Sequence, residues 1–230
     1  MKITKNSSAI FLLLLCSFAN VSAADLSQLS SKDANSGLKA ALEQGAKAAI
    51  SKLGVADGFL NNDQVKIPLP SILEKAKPIL KLSGQGKHLD ELVVAMNRAA
   101  ETAVPMAKPL LLDAVKTMSV TDAKNILSGG ETSVTDFFRQ KTSTALTTKF
   151  TPTVKAVTDN VGLAGKYNTV MAKAQKMGAV PEKEATVESY VSGKAVDALY
   201  TMIAEEEKKI RQDPIGTGSK IIGKVFGLLK

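Results

Sequence analysis

Apolar residues recur at helical spacing along nearly the whole chain, and no stretch sustains the alternation of a half-buried strand. Leu89, Leu92, Met96, Ala99, Ala100 and Ala103 share one face of a helix expected from Leu89 to Val104. Leu38, Leu42, Ala46, Ala49, Ile50 and Leu53 form a second, alanine-rich stripe. With no sheet to receive them, such stripes can leave water only against other helices. The pattern therefore predicts an all-α fold, a multi-helix bundle with short connections.

Eight prolines and sixteen glycines punctuate the stripes. After the first helix, "GVADGFLNNDQVKIPLP" predicts a structured Pro/Gly-rich loop or a short hairpin, because Pro68 and Pro70 exclude a central strand. Ser71 is positioned to cap a short helix ending at Leu82, strained or broken near Pro78. Pro105 and Pro109 are expected to kink or restart a helix. Ser119 and Asp122 have the spacing of an acidic capping box, with Gly129 in the C′ position. A long helical region from Ser133 is expected to be interrupted at Pro152 and near Gly162 and Gly165. The longest clean helix should run from about Ala185 to Gln212, stopped by Asp213-Pro214. Residues 215–230 read as a flexible joint followed by a short amphipathic tail, expected to dock on the bundle and close its core, with contact at a membrane surface as the alternative.

The first 24 residues have the layout of an export leader. Lys2 and Lys5 precede the apolar run "AIFLLLLCSFA", which is short for a membrane span, and "VSA" places cleavage after Ala23 or Ala24. The expected location is therefore periplasmic, with residues 25–230 forming a single helical domain. Cys16, the only cysteine, falls inside the leader and follows Leu15, so it lacks the context of a lipidation site. The mature chain would have no disulfide, thiolate metal site or cysteine nucleophile. It keeps about 206 residues, enough for one sizeable core.

The chain carries a formal net charge of +8, from 27 lysines and only three arginines, set against its acidic residues. Nucleic-acid binding would call for clustered cations with stacking aromatics. Here the lysines are dispersed, tryptophan is absent and aromatics make up 4% of residues, so nucleic acid is not an expected partner. Attraction to anionic lipid or cell-wall polymer is compatible with the charge.

The stretches "DGFLNN", "IPLP", "MNRAAE", "AVPMAKPLLLDAVKTM", "TDAKNILSGGETSVTDFFRQKT" and "YVSGKAVDALYTMIAEEEKKIRQDP…KVFG" stand in that order. Together they resemble the domain of unknown function family 4197, a group of exported bacterial proteins. The resemblance covers about Leu38 to Gly227. It implies export and a mostly helical fold, and it brings no activity, ligand or catalytic residue.

The block "EEEKKIRQDP" divides when placed on a helix. Glu206 falls near the centre of the face carrying Ala195, Leu199, Met202, Ile203 and Ile210, with Glu205 and Glu207 to either side. Glu205 with Lys209 and Glu207 with Arg211 have the spacing of surface ion pairs. A carboxylate on the apolar face must pair, hydrogen-bond or take up a proton. Arginine matches it best, so Glu206 is expected to pair across helices with Arg98 or Arg139. Two readings follow: a buried ion pair that fixes helix register, or a site for a polar headgroup or a general acid.

Asn97, Arg98 and Glu101 sit opposite the Leu92/Met96 stripe, as a solvated face or, if covered, as a buried network. The candidate polar cluster is thus Glu206, Arg98, Arg139, Arg211, Glu101 and Asn97. Gly129-Gly130 before a helix start offers an anion site or an ordinary cap at Thr132 or Ser133. No catalytic triad or zinc set is completed, since His88 is the only histidine, and Asp57, Asn61, Asn62 and Asp63 lack the spacing of a calcium loop; no metal or cofactor is expected.

These readings favour a non-enzymatic exported binding or envelope-associated protein, with an apolar or amphiphilic ligand, such as a lipid, in a cleft near Glu206. The competing classes are a carboxylate-dependent hydrolase with Glu206 as acid, and a structural protein acting through oligomerisation or by contact of its C-terminal tail with a membrane surface.

Overall fold

The computed structural model describes residues 31–176 and 181–227, and among these there are helices, turns and extended connections but no strand. The expected leader lies outside the described residues, as do the last three residues of the tail. The helices are α1 (Ser31–Leu53), α2 (Ser71–Leu82), α3 (Gly86–Ala103), α4 (Ala107–Lys116), α5 (Val120–Ser128), α6 (Ser133–Thr158), α7 (Gly162–Lys176), α8 (Val187–Gln212) and α9 (Lys220–Gly227). None of them is long and apolar enough to cross a membrane.

Helix α8 is the centre of the bundle, packed on α6, α1 and α3, while α6 also packs on α3 and α4. This placement buries α8 over a wide arc: Val191, Ala195, Leu199, Tyr200, Met202 and Ile203 all lie inside. The two predicted stripes on α1 and α3 both face this core. Phe137, Phe138, Leu146 and Phe150 bury from α6.

Several punctuation marks act differently from expectation. Helix α2 runs through Pro78 and α6 through Pro152 without a break. The N-cap of α2 is Pro70, not Ser71, and has no side-chain cap bond. Pro105 does restart the chain, through a 3₁₀ turn Val104–Met106, and Pro109 lies in the first turn of α4, where its missing N–H is harmless. The Ser119–Asp122 capping box forms in full, with both bonds at 3.0 Å. Gly129 ends α5 in an extended conformation and not in the left-handed C′ geometry. Its role is close approach: an added Cβ would lie 2.6 Å from both Asn125 O and Ser133 Cβ.

The segment between α1 and α2 is the structured loop and not the hairpin. It makes consecutive turns from Gly54 to Val65 and then runs extended. Phe59 is fully buried, and Val65, Ile67 and Leu69 alternate inward while Lys66 and Pro68 face water. The loop behaves as a strand without a sheet, so its backbone must find partners among side chains.

The tail is docked. Ile222, Val225 and Phe226 of α9 bury against the bundle, chiefly on α1. Gly37 allows this approach, because a Cβ there would come within 2.8 Å of Ile221 O and closer still to Val225 Cγ2.

Candidate functional site

The expected pairing of Glu206 with Arg98 or Arg139 does not occur. Glu206 accepts from Lys52 Nζ at 2.5 Å and Lys209 Nζ at 2.9 Å, at the half-open end of the α1/α8 seam. Arg98 is held elsewhere by Glu101 and Asp57, at 2.7 Å each. Arg139 reaches Asp197 at 3.3 Å and covers the Tyr200 ring, 4.7 Å from its centroid. Glu205 takes a hydrogen bond from Gln64 and not from Lys209.

The buried member of the triplet is Glu207. Helix α6 starts against it, and its carboxylate supplies the cap that neither Thr132 nor Ser133 gives. Val134 N–H donates to Oε1 and Thr135 N–H and Oγ1 donate to Oε2, all at 3.1 Å. Arg211 closes the arrangement with two bonds to Oε1, at 3.1 Å from Nε and 3.0 Å from Nη2. The same guanidinium donates to Ser133 Oγ at 2.8 Å and stacks over Phe226 of α9. The anion-binding end of α6 is thus filled by the protein's own carboxylate.

Glu101 and Asn97 perform the same service for the α1–α2 loop. Glu101 Oε1 accepts from the backbone N–H groups of Phe59 and Leu60, both at 3.1 Å, while Oε2 holds Arg98. Asn97 accepts from Ile67 N–H at 2.8 Å and donates to Ile67 O at 2.9 Å and Val93 O at 2.8 Å. On the "MNRAAE" polar face Asn97 and Glu101 are therefore buried, covered by the loop and not by another helix, while Arg98 stays at the half-open rim with Asp57. A third buried carboxylate, Glu188, takes both bonds from Asn168 Nδ2 at 3.0 Å, and Asn168 in turn caps Val187 N–H. The sequence reading missed Glu188; its one signal is an acid in the first turn of a helix.

Glu206 stays ionised. Burial pushes its carboxyl up, but the bonds from Lys52 and Lys209 outweigh this and hold it below its ordinary value. A depressed folded-state pKa adds stability above the unfolded value of 4.5, lost as pH falls through the lowered one. The pair is partly open to water, so Glu206→Gln should cost no more than about 1 kcal/mol at neutral pH. Melting curves of the two proteins should converge as acidification passes below the ordinary carboxylate range. A gap that widens in acid would contradict this assignment.

Around Glu206 the surface forms an open groove of about 380 Å³ lined by Gln44, Glu206, Lys209, Ile210, Asp213 and Thr217. Ile210 also borders a small, partly open apolar recess of about 10 Å³, lined by Ala41, Leu42, Gly45, Val134, Ile203, Glu207 and Phe226. Among the described residues no three His, Cys, Asp or Glu side chains converge to hold a metal ion.

Fold and site together define a class: a helical bundle whose buried carboxylates are internal caps joining one segment to another. The chain belongs to the family described as Protein of unknown function (DUF4197), whose profile matches residues 28–227. No curated protein and no solved structure matches it.

Proposed function

We propose that this is an exported, non-enzymatic envelope protein that binds an amphiphile at the seam of α1, α8 and α9. The supporting observation is that a polar groove and an apolar recess adjoin at Ile210. Lys209 and Glu206 would meet a headgroup in the groove, with Lys52 behind Glu206. A chain would enter the recess, which now has room for about one water molecule, by displacing Phe226. Helix α9 suits this displacement: it is eight residues long and hangs on a turn that contains Gly218 at φ 72°. Against a hydrolase, Glu206 is held ionised by two lysines, the wrong state for a general acid.

Native mass spectrometry after detergent-free purification, with decanoate titration by calorimetry, tests this. Bound amphiphile or saturable decanoate binding is expected. Gly45→Ala should weaken it without unfolding, since the added Cβ meets only Glu206 Cβ, at 3.7 Å, and narrows the recess. Absence of both bound amphiphile and decanoate binding in the parent protein would refute the proposal.

A further inference from the structure

Helix α2 has no buried residue, although it is strongly amphipathic. Its apolar arc is split. Leu73 and Leu80 pack against the core, on the side that faces α3. Ile72, Ile79 and Leu82, on the adjoining side, point to water, with Ile79 72% and Leu82 90% exposed. Between Ser71 and His88 the chain carries Lys75, Lys77, Lys81 and Lys87 against the single acid Glu74, which pairs with Lys77 at 3.4 Å.

We infer that the outer face of α2, built on Ile72, Ile79 and Leu82 with Lys75 among them, is a docking surface for an anionic phospholipid bilayer. The flanking charge selects the occupant. Lysines beside a solvent-facing apolar ridge attract anionic headgroups while the ridge enters the acyl boundary, and their stems can follow it inward. A second copy of this chain would bring like-charged lysines against these. Twelve residues also make a helix only about 18 Å long, which offers far less area than the roughly 800 Å² per partner of a stable protein interface. A bilayer needs no matching shape. Helix α9 cannot offer such a face, because its apolar residues Ile222, Val225 and Phe226 are buried on the bundle. This surface is separate from the seam beneath α9, so either proposal can fail without the other.

The chain contains no tryptophan, so one introduced at position 79 is a clean reporter. In the full chain, Ile79→Trp emission should shift to the blue with vesicles of equimolar phosphatidylcholine and phosphatidylglycerol, and remain unchanged with phosphatidylcholine alone. Val120→Trp, at an exposed position of α5, should not respond to either. Adding Leu82→Glu to the Ile79→Trp chain should weaken partitioning by about tenfold or more, and high salt should weaken it further. No shift on the anionic vesicles, an equal shift on neutral ones, or a lipid-free, concentration-dependent shift from self-association would each overturn the inference.

Discussion

Glu207→Ala lowers the stability of the protein by about 3–5 kcal/mol, because it removes one member of a buried charge pair and leaves the other uncompensated. For a chain of this size that is a fall of about 6–20 °C in melting midpoint. Three effects act together. Arg211, with its side chain 18% exposed, loses its counter-ion. Val134 and Thr135 lose the acceptor for their N–H groups at the start of α6. The stack of Arg211 on Phe226 loses its anchor, which loosens α9. Arg211→Ala and the double variant complete a thermodynamic cycle, and a coupling of about 0.5–3 kcal/mol is expected between the two positions. Glu207→Gln should fall between, since an amide oxygen can still accept from α6 but cannot neutralise Arg211. A loss within about 1 kcal/mol for Glu207→Ala, the range of an exposed pair, would show that the carboxylate does not hold α6 in place.

Asn97→Ala should cost about 2–6 kcal/mol by a different route. The side chain is fully buried and bonds both the N–H and the C=O of Ile67, itself almost fully buried. Removing it orphans two backbone groups where water does not reach, at about 1–3 kcal/mol each. Asn97→Asp should not rescue stability. The carboxylate can accept from Ile67 N–H but cannot donate to Ile67 O or Val93 O. Urea unfolding gives the energy, and amide exchange at Ile67 gives the location: its protection should fall before that of α3. Unchanged exchange at Ile67 would mean that the loop is held by its apolar side chains alone.

The two clamps explain why some of the site was legible and some was not. Asn97, Arg98 and Glu101 could be grouped from spacing, since one helical turn brings them together. What they hold could not be read, because Phe59, Leu60 and Ile67 lie 30 to 42 positions away and contribute only backbone atoms. Backbone donors have no sequence signature. Glu206 lies near the centre of the α8 stripe by helical angle, yet angle does not fix depth: Glu206 is half-buried and Glu207 is buried. At that level of the bundle, α6 begins on the Glu207 side and covers it. On the Glu206 side, α1 presents Gly45 and Lys52 and leaves a groove. The choice of arginine as partner followed chemistry, but Arg98 and Arg139 were already engaged by nearer acids.

Helix α2 shows the limit from the other direction. Its sequence has the amphipathic pattern of a core helix, and the tail has the pattern of a surface-seeking one. The tail nevertheless docks, because Gly37 lets α9 close onto α1, while α2 sits on the edge of the bundle beside α3 with Ile72, Ile79 and Leu82 in water.

By itself, the sequence determined the helical fold, most helix positions, the Ser119–Asp122 cap and the family, since these depend on local periodicity and on short-range bonds. The tertiary structure alone decided which glutamate is buried, which arginine it meets, and which amphipathic helix keeps its apolar face in water. A helix fixes the direction in which a side chain points. Only the arrival of a neighbouring segment fixes whether that direction leads to water or to a partner.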